Sequence, residues 1–329
     1  MVLAKDTVAE YLWARHLFDV PPGAEYTVDA LGGGFLNTVL RVRCGGKSIV
    51  VKQAMDALRL FPDLKVTTDR IVFEQKALAR LNRLFPEGTL PPVLHFDDEN
   101  HLLVMGDLGE GPLLEEQLIK GQIDPSVAER LGQFLARQHS QTLDDPELRQ
   151  AFQNEAMQQL RLQYCFYFVP QPALLDVAKR LGRLFTEEKR VLLHGDFWTG
   201  SVMTDGQNIR VFDFEFTYYG HPAQDIGFMM AHYLLHAYNT PALAKAAHEA
   251  VRRLWKTYVD GMAGLLPGDT ERSALQQMGI EMLFRIDGIN RVKYITDESV
   301  KSRLRLAAKR FLLDDRLRVS DLPGITPDG

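Results

Sequence analysis

The residues best suited to chemistry lie in two segments that each follow an apolar run. The first run leads into His194-Gly195-Asp196, and the second leads into Asp213 and Glu215. A carboxylate at the end of a strand can accept the proton of a hydroxyl group, while two further carboxylates can hold Mg²⁺. Transfer of a phosphoryl group from Mg-ATP to a hydroxyl needs these parts, so the pattern indicates that type of reaction.

Asp196 is the candidate catalytic base, and Ser201 lies shortly after it in the same loop. The Asp196 carboxylate can orient an acceptor hydroxyl and take its proton. The Ser201 hydroxyl can contact a phosphate or a metal-bound water. The alternative for Asp196 is an ordinary turn aspartate that caps its own loop.

Asp213 and Glu215 are the candidate metal ligands, two residues apart in a segment where Phe212, Phe214 and Phe216 alternate with them. In an extended strand, side chains two residues apart project to the same face. Two carboxylates on one face suit Mg²⁺, which favours oxygen ligands. The alternative is a pair of solvated carboxylates on an edge strand.

Lys52 ends a β-rich run, Val50-Val51-Lys52, and Glu74 lies on the helical segment that follows. A lysine in this position can reach the phosphates of ATP and pair with a helix glutamate. A solvated edge charge is the alternative for any single strand lysine. The order of lysine, helix glutamate, aspartate and Asp-x-Glu favours the phosphate-binding interpretation.

A glycine-rich stretch containing Gly33 and Gly34 precedes Asn37 and the first β-rich run. Glycines let a backbone approach phosphates closely. The stretch matches neither the P-loop pattern nor G-x-G-x-x-G, and a flexible turn is the alternative. Asp225, further along the chain, is expected to bond backbone amides of the catalytic turn, with a simple helix N-cap as the alternative.

Composition limits the classes of protein that this chain can represent. Its 329 residues carry a net charge of −5, which argues against a broad nucleic-acid-binding face. Cys44 and Cys165 are the only cysteines, so no disulfide framework is implied. The sequence has no apolar run of membrane-spanning length and no signal-peptide pattern at its start, so we expect a cytoplasmic protein without a membrane partner.

The pattern of strand-forming and helix-forming residues along the chain predicts an α+β fold with a small β-rich N-lobe and a larger helical C-lobe. Residues 26–110 are strand-rich, with Gly45-Gly46 predicting a tight hairpin. Asp69 and its neighbouring threonines predict a capped helix that runs to about Leu84. The sequence changes from strand-rich to helical near Met105–Leu108. We therefore predict a nucleotide-binding lobe over residues 1–107 and a catalytic and substrate-binding lobe over residues 108–329.

The order of these motifs resembles the aminoglycoside phosphotransferase / choline kinase family, and within it the S-methyl-5-thioribose kinase branch, from about residue 30 to about residue 295. The matching segments are Gly33-Gly34-Phe35-Leu36-Asn37, Val50-Val51-Lys52-Gln53-Ala54, Leu103-Val104-Met105-Gly106-Asp107-Leu108, Leu118-Ile119-Lys120-Gly121, His194-Gly195-Asp196 with Thr199-Gly200-Ser201, and Asp213-Phe214-Glu215-Phe216.

The resemblance implies a protein-kinase-like fold, ATP and Mg²⁺ as cofactors, and a homodimer. It implies transfer of the γ-phosphate to the anomeric hydroxyl of methylthioribose or another 5-modified ribose. Asp196 would be the base, with Asp213 and Glu215 as metal ligands. The residues assigned to ATP are Gly33, Gly34, Asn37, Lys52, Glu74, Met105, Asp107, Leu108 and Ser201.

The chain departs from that branch near the expected acceptor site. Phe197-Trp198 replaces a leucine-histidine pair, and Phe284-Arg285 keeps one of two adjacent arginines. The resemblance implies that Asp196, Trp198 and Arg285 bind the substrate. The two changes indicate an acceptor that is less polar or differently shaped. Two alternatives stay open: a kinase for an aminoglycoside or amino alcohol, and a nucleotide-binding pseudokinase.

Overall fold

A computed structural model of the chain describes residues 2–17, 25–32, 36–57, 65–169 and 172–324. The chain divides into two compact units: unit 1 is Met1–Glu110 with Val211–Glu215, and unit 2 is Gly111–Arg210 with Phe216–Gly329. Unit 1 thus extends beyond the expected boundary at residue 107 and also includes the segment with both candidate metal-binding carboxylates. The expected α+β class, with a small β-rich part and a larger helical part, is confirmed.

Unit 1 is built on a five-stranded antiparallel sheet in the order β1-β2-β3-β5-β4. Its helices and strands are α1 (Val8–Ala14), β1 (Thr27–Ala30), β2 (Asn37–Cys44), β3 (Lys47–Ala54), α2 (Arg70–Leu81), β4 (Val93–Asp97) and β5 (Leu102–Gly106). A hydrophobic core between α1 and the sheet includes Val8, Leu12, Val42, Ile49, Val51 and Val104.

Two local predictions in unit 1 have different outcomes. The hairpin is confirmed: Gly45 and Gly46 join β2 to β3 with φ of 56° and 77°, the left-handed values that a tight two-residue turn needs. The expected helix is confirmed as α2 with Asp69 at its N-cap position, although it ends at Leu81, before Leu84. The expected capping bond is wrong, because the Asp69 side chain makes none. Instead the Asp69 N–H donates to Thr67 Oγ1 at 3.2 Å.

Unit 2 is mainly helical. Its helices are α3 (Leu114–Ile119), α4 (Pro125–Ser140), α5 (Pro146–Ala151), α6 (Glu155–Arg161), α7 (Pro172–Glu187), α8 (Ala223–Asn239), α9 (Ala244–Met262), α10 (Thr270–Asp287) and α11 (Glu298–Leu313). Two short strand pairs accompany them: β6 (Val191–Leu192) pairs with β9 (Tyr219–Gly220), and β7 (Val202–Thr204) pairs with β8 (Ile209–Val211), whose last residue is assigned to unit 1.

Helix α8 forms the centre of unit 2. It is buried from its first residue almost to its last and packs against α9 and α10, while α4 packs against α9. A mostly apolar helix that is buried on all sides belongs to the core of its unit. None of the described helices, α8 included, combines the length and apolar character that a membrane span requires.

Candidate active site

Lys52 is the centre of a buried charge cluster in unit 1. It lies on β3, opposite Leu103 of β5, and is 4% exposed. Its Nζ is 2.7 Å from Glu74 Oε2 and 2.5 Å from Asp213 Oδ1. Strand β3 and helix α2 therefore bring together the lysine and the helix glutamate that the sequence suggested as partners. Glu74 also accepts a bond from the Phe214 N–H at 3.2 Å.

Asp213 and Glu215 both reach this cluster, but not by the expected geometry. Strand β8 ends at Val211, and Asp213 has a φ of 72°, a left-handed value that is uncommon outside glycine. The expectation that both carboxylates project from one face of an extended strand is therefore wrong. The Asp213 side chain is 38% exposed, whereas that of Glu215 is 8% exposed.

Glu215 is held by two buried side chains. Its Oε2 accepts from Arg70 Nε and from Asn37 Nδ2, each at 2.9 Å. Arg70 is fully buried and also donates to Asn37 Oδ1 at 3.0 Å. Sequence reasoning missed Arg70, although its position one helical turn before Glu74 places both side chains on one face of α2.

The cluster holds more negative than positive charge. Lys52 and Arg70 face Glu74, Asp213 and Glu215. Burial and the neighbouring carboxylates raise the pKa of Glu74 and of Glu215. Lys52 lowers both pKa values and Arg70 lowers that of Glu215, but the net shift is upward. For Lys52, burial acts to lower the pKa, but the three carboxylates raise it overall. A set of carboxylate oxygens short of positive charge fits a divalent cation such as Mg²⁺.

The remaining nucleotide-binding candidates of unit 1 are only partly described. Gly33 and Gly34 lie outside the described residues. Met105 is buried in β5. Asp107 accepts from Ser48 Oγ at 2.5 Å and from the Gly109 N–H at 3.0 Å, and it also pairs with an arginine of β2.

These bonds commit the Asp107 side chain to fixing the end of β5. The expected adenine contact at Met105 to Leu108 stays a prediction.

In unit 2, the turn His194-Gly195-Asp196 follows β6 and is fixed by Asp225 at the start of α8. The Asp225 carboxylate accepts from the His194 N–H at 2.7 Å and from the Gly195 N–H at 3.0 Å. His139 adds a bond from Nε2 at 3.3 Å. These bonds confirm the expectation that Asp225 fixes the shape of the turn.

Gly195 and Ser201 complete the support of this turn. Gly195 has a φ of 83°, and a Cβ at this position would clash with the Phe216 carbonyl oxygen. The Ser201 hydroxyl donates to the Asp196 carbonyl oxygen at 2.9 Å. In this structure Ser201 therefore supports the backbone of the turn, and its expected contact with the nucleotide stays a prediction.

Asp196 pairs with an arginine that the sequence did not suggest. Its Oδ1 lies 2.6 Å from Arg161 Nη2, and its side chain is 23% exposed. The Arg161 guanidinium packs over the rings of Phe216 and Phe228, at 5.1 Å and 4.8 Å from their centroids. Lone arginines at a helix end are common, so no sequence signal singled out Arg161.

Arg285 and Trp198, the expected substrate residues, are neighbours in unit 2. The Arg285 guanidinium lies 5.0 Å from the Trp198 ring centroid and is also close to Phe228 and Phe284. Arg285 Nε donates to Glu281 Oε1 at 2.6 Å, one turn earlier on α10. The arginine that was expected to contact the acceptor is therefore already partly neutralised by its own helix.

Buried acids and histidines extend this region. Glu115 Oε2 lies 3.5 Å from His236 Nε2 and 4.0 Å from His232 Nδ1, and the Thr199 hydroxyl donates to Glu115. Against the effect of burial, the two histidines lower the pKa of Glu115 to about 2. Burial lowers the pKa of His232, which favours its neutral form. With Glu115 included, the carboxylates of this region at least balance the positive charges of Arg161 and Arg285.

Comparison with known proteins gives consistent matches. The profile of the phosphotransferase enzyme family matches residues 27–264, which is more than half of the chain. The methylthioribose kinase of Yersinia enterocolitica serotype O:8 is 28% identical over 303 residues, covering 80% of this chain and 76% of that protein. The methylthioribose kinase of Yersinia pseudotuberculosis serotype O:1b is 27% identical, covering 92% of this chain and 90% of that protein.

Solved structures of low sequence identity share the fold. An amicoumacin kinase in complex with AMP-PNP and Ca²⁺ has a TM-score of 0.57 at 16% identity, with 98% of each chain covered. A choline/ethanolamine kinase family protein from Mesorhizobium loti has a TM-score of 0.54 at 15% identity, covering 99% of this chain and 100% of that one. The chain is an ATP-dependent small-molecule kinase with a hydroxyl acceptor, and it belongs to the phosphotransferase enzyme family.

Proposed function

We propose that this kinase transfers the γ-phosphate of Mg-ATP to a hydroxyl of a neutral 5-modified ribose, with methylthioribose as the first candidate. The observation that carries the proposal is the charge balance around Asp196. There Arg161 and Arg285 cover the neighbouring aromatic rings and are paired with carboxylates. The similarity to methylthioribose kinases supports the choice of sugar.

Unit 1 supplies the groups that bind the nucleotide. Lys52 contacts the phosphates, and Glu74 holds the Lys52 ammonium in place at 2.7 Å. Asp213 and Glu215 would hold Mg²⁺, which would neutralise charge on the phosphates. Arg70 keeps Glu215 in position through its bond to Oε2.

Unit 2 supplies the base and the acceptor-binding groups. Asp196 accepts the hydroxyl proton as the acceptor oxygen bonds to the γ-phosphorus and the bond to ADP breaks. Arg285 donates hydrogen bonds to sugar oxygens, and the part of the Trp198 ring that Arg285 does not cover packs against the sugar. The transfer is direct, without a phosphoenzyme.

A cationic acceptor such as choline or an aminoglycoside fits this region poorly. Recognition of such a cation uses aromatic faces and carboxylates. Here the faces of Trp198, Phe228 and Phe284 already surround Arg285. An anionic acceptor fits no better, since Arg161 and Arg285 are balanced by acids. A neutral polyol needs no net charge and can use both donors and acceptors.

The test is ADP release from Mg-ATP with methylthioribose, 5-deoxyribose, ribose, choline and an aminoglycoside as acceptors. We expect turnover with the 5-modified riboses at a higher kcat/KM than with ribose, and none with choline. Phosphorus NMR of the product should show a phosphate coupled to the anomeric proton. Turnover confined to choline or the aminoglycoside would refute the acceptor class.

A further inference from the structure

Arg161 occupies a distinctive place beside the candidate base. It is the last residue of α6, where a turn of π-helix (Leu162–Phe166) begins, and it is 7% exposed. π-Helical turns are frequent at functional sites. Its Nη2 reaches Asp196 Oδ1 at 2.6 Å, while its guanidinium is covered by the rings of Phe216 and Phe228.

The backbone around Asp196 is fixed without Arg161. Asp225 accepts from the two preceding N–H groups, and the Ser201 hydroxyl donates to the Asp196 carbonyl oxygen. What these bonds leave undetermined is the orientation of the Asp196 carboxylate about its two side-chain torsions. The bond from Arg161 fixes that orientation, and it leaves Asp196 Oδ2 without a hydrogen bond from the described residues.

We propose that Arg161 is a positioning residue for Asp196: by holding Oδ1, it presents Oδ2 to the acceptor hydroxyl. The proposal rests on the proposed function, in which the proton of that hydroxyl moves to Oδ2. Arg161 keeps its own protons throughout. A second feature supports a role toward a ligand, because the buried Arg161 Nε has no hydrogen-bond partner among the described residues.

The competing explanation is an ion pair that only stabilises the fold, and kinetics separate the two. Arg161→Met should lower kcat about 100-fold, the scale of a small misplacement of a reacting group, and leave the KM for ATP within about twofold. Arg161→Lys keeps the charge and should recover part of kcat. All rates are taken at a temperature where circular dichroism shows each variant folded.

A double-mutant cycle tests whether Arg161 acts through Asp196. In an Asp196→Asn background, Arg161→Met should change the residual rate less than about threefold, because the carboxylate that it orients is gone. The same 100-fold loss in both backgrounds would overturn the proposal. Arg190→Met is the matched control, since Arg190 pairs with Asp144 at 2.5 Å in the same unit but is one-third exposed; its kcat should equal that of wild type.

A crystal structure of Arg161→Met separates failure of this proposal from failure of the proposed function. We expect the Asp196 carboxylate to rotate away from its wild-type orientation while the main chain of the turn stays in place. A carboxylate in an unchanged position would overturn the positioning role, whichever acceptor is used. Absence of turnover by the wild-type enzyme with every sugar would refute the proposed function alone.

Discussion

Replacing Asp225 by asparagine should destabilise the protein strongly, because this buried carboxylate holds the catalytic turn. Asp225 is 1% exposed and accepts from His194 N–H, Gly195 N–H and His139 Nε2 at 2.7, 3.0 and 3.3 Å. In Asp225→Asn the amide nitrogen must face one of two backbone N–H groups, whichever way the side chain turns. Loss of one buried charged partner costs about 3–5 kcal/mol, a large share of the stability of a typical domain.

The assay is urea denaturation followed by circular dichroism, repeated between pH 3 and pH 7. Against the effect of burial, the His139 and backbone bonds lower the pKa of Asp225. A carboxyl group with a lowered folded-state pKa stabilises the protein above its unfolded pKa of about 4, and this stabilisation is lost as pH falls through the folded value. The wild-type free energy of unfolding should therefore fall more steeply in acid than that of Asp225→Asn.

Asp205→Asn is the matched control. Asp205 also accepts from two backbone N–H groups, those of Gln207 and Asn208 at 2.9 and 2.7 Å, but its side chain is 46% exposed. Water can replace these bonds, so the free energy of unfolding should change far less than in Asp225→Asn. Equal losses in the two variants, or a loss below about 1 kcal/mol in Asp225→Asn, would refute the reasoning.

Three further substitutions test the remaining supports. Lys52→Met should lower kcat/KM for ATP at least about 100-fold in steady-state assays, because the cation that contacts the phosphates is removed; an unchanged value would contradict that role. Arg70→Met should cost about 3–5 kcal/mol in urea denaturation, since Glu215 would be left buried without its cation, and a loss below about 1 kcal/mol would count against it. Gly195→Ala should cost about 3 kcal/mol or more, because the new Cβ meets the Phe216 carbonyl oxygen; wild-type stability and kcat in this variant would show that the turn adapts.

The sequence was most informative where chemistry depends on local order. The hairpin at Gly45-Gly46 follows from the turn that two glycines favour, and the support of the catalytic turn by Asp225 follows from the bonding capacity of a carboxylate. Lys52 and Glu74 could be paired because a strand lysine and a helix glutamate in this order suggest one arrangement.

The parts that the sequence did not predict depend on tertiary packing. Arg70 and Arg161 are ordinary arginines in helical sequence, and only the folded chain shows that each is buried against a carboxylate. The route of Asp213 was also missed, because alternating phenylalanines favour a strand, whereas the backbone turns left-handed directly after β8. An aspartate signals such a turn only weakly, because it adopts a left-handed φ more often than most residues but far less readily than glycine.

The central claim is that Asp196 is the base of a kinase, and single-turnover kinetics of Asp196→Asn test it most directly. With methylthioribose in excess, we expect this variant to bind Mg-ATP within about twofold of wild type and to form ADP at least about 1000-fold more slowly, the contribution of a general base. Isothermal titration calorimetry gives the binding constant, and rapid-quench sampling gives the rate. Acceptor-dependent ADP formation at the wild-type rate would contradict the account.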